Sequence, residues 1–169
     1  FGVGRVRDTI YALSSGQLPS GVAVIRLSGP NVRFVIETMC GSVPEPRHAA
    51  LKSIRLQNGN LIDRGLVLFF PGPASFTGED CAELHLHGGR AVVEACYRGL
   101  GELPGLRQAE AGEFSRRAFD NGKIDLTAAE GLADLISAET EAQRRMALDQ
   151  AGGSLASIYQ DWATRLTHA

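Results

Sequence analysis

Apolar positions follow two rhythms along this chain: short β-like runs up to about Asp125, and long helical repeats after it. Gly21-Val22-Ala23-Val24-Ile25-Arg26-Leu27-Ser28-Gly29-Pro30 predicts a strand bounded by glycines, and its mostly apolar content implies burial on both faces. Pro30 can open the helix that follows, which the pattern extends to about Met39. Ile54-Arg55-Leu56 and Leu61-Ile62 flank Gln57-Asn58-Gly59-Asn60, where Asn-Gly supplies the positive φ of a tight hairpin turn. Leu66 to Phe70 predicts another strand, closed by Pro71-Gly72-Pro73, and Cys81 to Leu86 a further one. A helix from Ala91 to Leu103 should stop near Pro104-Gly105, and a short helix from Glu113 to Asn121 should end at Gly122.

Beyond Asp125, Thr127-Ala128-Ala129-Glu130 fits a capping box, in which the hydroxyl and the carboxylate satisfy free amides at a helix start. A long helix to about Gln150 should follow and break at Gly152-Gly153. Leu155, Ile158, Tyr159, Trp162 and Leu166 then recur as one apolar stripe that needs a partner surface. Two expectations stand side by side: a helical bundle cut short or completed by another chain, and a helix hairpin closing on itself.

At 169 residues the chain has room for one sizeable core. Its net charge of −2 argues against holding nucleic acid by charge alone. The charge divides unevenly, with 14 basic and 13 acidic side chains up to residue 125, and 3 basic and 6 acidic from 126 on. The longest apolar stretch, Leu66 to Phe70, is far short of a membrane span. Cys40, Cys81 and Cys96 are an odd count without CxxC spacing, which predicts reduced thiols in a cytosolic protein. The first residues lack a secretory signal, and a start at Phe1 without an initiator methionine reads as trimming.

Three positions invite chemistry. Alternation along the strand after Asp80 puts Ala82, Leu84 and Leu86 on one face, and Cys81, Glu83, His85 and His87 on the other. Glu83 could sit at the rim of a cleft and accept two hydrogen bonds from one heterocycle edge, or simply belong to a solvated sheet face. His85 and His87 are two potential metal ligands without a third, so structural or exposed histidines are favoured over zinc. Arg26 interrupts an apolar strand and must find an anion, a structural salt bridge or solvent. Lys123 lies in the turn Asn121-Gly122-Lys123-Ile124-Asp125, where a surface lysine is the ordinary explanation.

Phosphate signals fail. Gly122-Lys123 is followed by Ile124 instead of Ser or Thr, and Arg117 stands where the first glycine of a P-loop belongs. The NKxD-like and DxxG-like matches near Asn121 and Asp149 are chance, and no GxSxG elbow accompanies Ser75 or Ser115. No catalytic or metal-binding residue is assigned.

Several segments in order do carry a resemblance: Asp8-Thr9-Ile10-Tyr11-Ala12, Gly21 to Gly29, Phe70-Pro71-Gly72-Pro73, Ser75-Phe76-Thr77-Gly78-Glu79-Asp80, His87-Gly88-Gly89, Ala111 to Phe119 and Asn121 to Ile136. Together they resemble the N-terminal part of the MnmE (TrmE) family of tRNA-modification GTPases, from Asp8 to the end of the chain. The resemblance implies an α+β fold, a mixed sheet with flanking helices similar to the folate-binding domain of aminomethyltransferases. Residues 8–125 would be the folate-binding and dimerisation domain, and 126–169 the first part of a helical domain.

The resemblance puts contacts to a one-carbon folate, 5-formyltetrahydrofolate or 5,10-methylenetetrahydrofolate, on Arg26, Glu83 and Lys123. It implies a cytoplasmic homodimer without a membrane. The full-length protein would work with the flavoprotein MnmG on C5 of the wobble uridine of tRNA, and GTP, magnesium and potassium would bind a G domain absent from these residues. The fragment alone would be inactive. Two other readings stay open: a stand-alone dimerisation module and a folate-dependent aminomethyltransferase-like domain.

Overall fold

A computed structural model describes residues 7–15, 18–124 and 141. Among these residues six strands and three helices follow in the order β1 (Thr9–Leu13), β2 (Ser20–Ser28), α1 (Val32–Cys40), β3 (Ala50–Arg55), β4 (Leu61–Phe70), β5 (Cys81–Gly88), α2 (Arg90–Gly101), β6 (Leu106–Gln108) and α3 (Glu113–Asp120). The strands form one sheet in the order β3-β4-β5-β2-β1-β6. β1 and β6 are parallel and every other pairing is antiparallel, so the sheet is mixed and the fold is α+β as expected.

The period-two pattern sorts the side chains. Ala82, Leu84 and Leu86 of β5, Ile25 and Leu27 of β2, and Val67 and Phe69 of β4 are buried in one core. That core is completed by Val32, Val35, Ile36 and Met39 of α1 and by Val93, Cys96 and Leu100 of α2. Each fully buried aliphatic side chain contributes roughly 1.5–3 kcal/mol, so the helix-covered face is where most of the stability resides. The opposite face carries Glu83, His85 and His87, as the alternation predicts. On it Leu51, Leu66 and Val22 are 62%, 43% and 54% exposed.

Several boundaries differ from the sequence reading. Leu61-Ile62 and Leu66–Phe70 belong to one continuous strand, in which Gly65 meets the backbone carbonyl of His85 so closely that no Cβ would fit. The hairpin between β3 and β4 forms as predicted, with Gly59 at φ 88 and the Asn60 N–H donating to Asn58 Oδ1 at 2.9 Å. β1 and β6 are strands that the apolar pattern did not announce. α3 ends at Asp120, and Gly122 takes the left-handed conformation, φ 71, that a helix terminus favours. The capping box at Thr127 and the stripe from Leu155 to Leu166 lie outside the described residues, as do the long helix and the helical domain of 126–169 except for Glu141, which is helical.

Cys40, Cys81 and Cys96 are free and buried. Burial pushes the Cys40 and Cys96 thiols up to about 12, which disfavours the thiolate form. Among the described residues no helix is long and apolar enough to cross a membrane.

Candidate functional site

Arg26 and Glu83 are set side by side by sheet register. Arg26 of β2 is the direct partner of Glu83 of β5, and Glu83 is in turn opposite Leu68 of β4. Both side chains project from the face away from the helical core, because Ile25, Leu27, Ala82 and Leu84 occupy the other face. Period two therefore delivers a cation and a carboxylate to neighbouring positions on a sheet surface.

Among the described residues Arg26 has no carboxylate partner in a salt bridge. Its guanidinium carbon lies 5.1 Å from the centroid of the Phe76 ring and 5.8 Å from that of Phe114. Cation–π attraction and the apolar sides of the two rings hold the group, and among the described residues no acceptor engages its in-plane N–H donors. Glu83 has its nearest ion partner in His85, with Nε2 3.5 Å from Oε2, at the limit of a hydrogen bond. His87 is engaged elsewhere: its ring and backbone nitrogens face the Asp63 carboxylate at 2.8–3.0 Å. Among the described residues no group of three His, Cys, Asp or Glu side chains could hold a metal.

Lys123 reaches the same place through the loop between β4 and β5. Gly78 has φ 83, a conformation that side chains disfavour, and packs so tightly that a Cβ would lie 2.9 Å from the Cβ of Asn121. Asn121 Nδ2 donates to the Thr77 carbonyl at 2.6 Å. The turn after α3 is thus fastened to the loop, and Lys123 follows two residues later.

A network of charges holds α3 against that loop. Arg117, only 4% exposed, pairs with Glu79 at 2.9 Å and with Glu113 at 3.2 Å. Glu113 also takes two hydrogen bonds from Arg107, at 2.7 and 2.6 Å, and Arg107 reaches Asp8 at 3.2 Å. Arg7 bridges Glu79 and Asp120 at 3.5 and 3.4 Å. Burial would push the Glu113 carboxyl up. The hydrogen bonds from Arg107 and the Glu110 backbone, with the charges of Arg107 and Arg117, outweigh it and bring the group down to about 2. Buried Ser28 and Thr77 complete the contact, their hydroxyls 2.7 Å apart, and Ser28 donates to Glu79 at 2.9 Å.

The outcome is one cleft of about 430 Å³, lined by Arg26, Glu83 and Lys123. All three sequence candidates meet there. Phe70, Phe76, Ala74 and Ala82 supply apolar wall, Ser75 a hydroxyl and Arg47 a further cation. The volume is within the roughly 300–1,000 Å³ usual for small-molecule sites, and an apolar lining with a few converging polar groups is their usual composition. Among the described residues none of the cations Arg26, Arg47 and Lys123 is in an ion pair with a carboxylate. Sequence reasoning did not single out Phe76 or Arg47. Phe76 stands in the segment Ser75 to Asp80, whose spacing gives no face, and Arg47 stands in a loop without periodicity.

Comparison with known proteins gives concordant matches. A model of the family described as GTP-binding protein TrmE N-terminus matches residues 9–123. The chain is 67% identical over 167 residues to the tRNA modification GTPase MnmE of Brucella canis, and equally so to that of Brucella abortus (strain 2308). The Brucella ovis protein of the same name is 66% identical. In each case the match covers 99% of this chain and 38% of the relative, so the chain spans well under half the length of these proteins.

Proposed function

This chain belongs to the TrmE N-terminal family, and on that premise we propose that its cleft binds a reduced one-carbon folate, 5-formyltetrahydrofolate or 5,10-methylenetetrahydrofolate. The observation that supports this is the convergence of Arg26, Glu83 and Lys123, from three distant stretches of chain, around one cleft walled by Phe70 and Phe76. A pterin offers adjacent N–H donors along one edge, and the two oxygens of a carboxylate such as Glu83 accept such a pair. Its flat ring suits an apolar, aromatic wall. The glutamyl tail is anionic, and the cleft has three cations to one carboxylate. When bound, the folate supplies a one-carbon unit.

The wider role is part of the same proposal, supported by the relatives' name, tRNA modification GTPase. In this reading the chain holds the one-carbon donor for modification of C5 of the wobble uridine of tRNA, together with the flavoprotein MnmG in the cytoplasm. GTP, with magnesium and potassium, binds a separate G domain. The chain also forms a homodimer. Leu51 and Leu66 are cross-strand partners, their row continues to His85 and Val24, and two of these apolar side chains are largely exposed on the sheet face that carries Glu83. Such a row favours a second copy as its cover.

Calorimetric titration with 5-formyltetrahydrofolate tests the reading. Binding should weaken about 10-fold or more in Glu83→Gln and in Arg26→Ala while both variants melt like the parent. Unchanged affinity in both would reject the site. Light scattering beside the titration separates the competing reading, a stand-alone interaction module, since a dimer that binds no folate would favour it. Turnover by the isolated chain would favour an aminomethyltransferase-like enzyme.

A further inference from the structure

The geometry points to Arg47 as a specificity-determining residue of the cleft, one that binds a carboxylate of the ligand's glutamyl tail. The inference rests on the folate reading of the cleft and extends it to a residue outside the Arg26, Glu83 and Lys123 set.

Arg47 comes from the connection between α1 and β3, a fourth separate segment at the cleft. Its backbone has φ 66, the one described non-glycine residue in the left-handed region. Residues other than glycine are uncommon there, and such conformations persist where surrounding contacts impose them. Here the Arg47 N–H donates to the Phe69 carbonyl at 2.9 Å. The guanidinium donates through Nη2 to the Ala74 carbonyl and lies 5.7 Å from the centroid of Phe70. A side chain held at backbone and guanidinium has already lost much of its freedom. Of its five N–H donors one is engaged by Ala74, and no carboxylate among the described residues pairs with the group.

Position then divides the cations. Arg26 is half-buried between two rings and is the cross-strand partner of Glu83, so it belongs to the end that would receive the heterocycle. Arg47 and Lys123 are exposed cations on the same cleft. A single glutamyl tail has two carboxylates, which two exposed cations match in number and sign. The planar fork of Arg47 suits the two oxygens of one of them.

The test uses the 169-residue chain and two ligands, 5-formyltetrahydrofolate and 5-formyltetrahydropteroate, which lacks the glutamyl group. In Arg47→Gln the affinity for the tailed ligand should fall about 10-fold and that for the tail-less ligand less than about 2-fold. Glu83→Gln should weaken both ligands alike, and Arg47→Lys should recover part of the loss. Thermal melts of each variant establish that folding is intact. Equal weakening of both ligands by Arg47→Gln, or of neither, would overturn the assignment while leaving the folate reading in place. If the unaltered chain binds neither ligand, the folate reading falls and the role of Arg47 with it.

Discussion

The loop from Pro71 to Asp80 contributes to two groups of charges that are built on different terms. In the network around Arg117 every charge has an opposite partner within about hydrogen-bonding distance, and the central arginine is buried. In the cleft, Arg26, Arg47 and Lys123 have no carboxylate partner among the described residues, and Glu83 has only a histidine at 3.5 Å. The paired group fixes where α3 and the following turn lie. On the folate reading, the other group is left to meet the ligand. The difference makes the cleft, whose charges lack carboxylate partners among the described residues, the better candidate for a ligand, and the paired group a structural one.

The contrast predicts opposite consequences for substitutions in the two groups. The largest effect is expected for Arg117→Met, which strands Glu79 and Glu113 without their shared partner; it should lower stability by about 3–5 kcal/mol in urea unfolding. Glu83→Gln, in the cleft, should change stability by less than about 1 kcal/mol. Comparable losses in the two variants would erase the distinction.

Acid should find the paired group next. Folding holds Glu113 below its ordinary value of 4.5, at about 2. Its contribution is therefore complete above pH 4.5 and is lost as pH falls through 2, an effect on the order of 2 kcal/mol once the partial exposure of Arg107 is allowed for. Urea midpoints measured from pH 6 to pH 2 should fall less steeply in Glu113→Gln than in the parent. Parallel curves would show that the Arg107 and Arg117 contacts do not stabilise the ionised form.

A smaller loss separates position from charge. Gly78→Ala meets both a left-handed backbone and a Cβ contact of 2.9 Å with Asn121, and should cost about 1–2 kcal/mol. Because Asn121 fastens the turn that carries Lys123, folate affinity should fall as well, whereas a change in stability alone would uncouple the turn from the cleft. The smallest effect belongs to Phe76→Ala. Loss of one ring over Arg26 should weaken folate binding about 3-fold, with stability changed by about 0.5–1 kcal/mol.

Much of the sheet was legible because burial on one face imposes a period of two. Ala82, Leu84 and Leu86 could be told from Glu83, His85 and His87 without coordinates. β1 and β6 were not, since five and three residues are too short for a periodic signal and their parallel pairing joins segments about 97 positions apart. Glu83 could be proposed from its strand position, but Lys123 read locally is a surface lysine. Contacts between distant positions, Asn121 with Thr77 and Arg117 with Glu79, bring it to the cleft. The spacing of Glu113 and Arg117 carried a readable signal of i,i+4 pairing. Nothing local announced that Arg107 and Glu79 would join them, nor that Arg26 would find two rings and, among the described residues, no counter-ion.

Titration of 5-formyltetrahydrofolate into the parent chain and into Glu83→Gln, with thermal melts of both, tests the central claim most directly. Saturable binding to the parent, an affinity at least about 10-fold weaker in the variant, and unchanged melting are expected. Equal affinity in two equally folded proteins would contradict it.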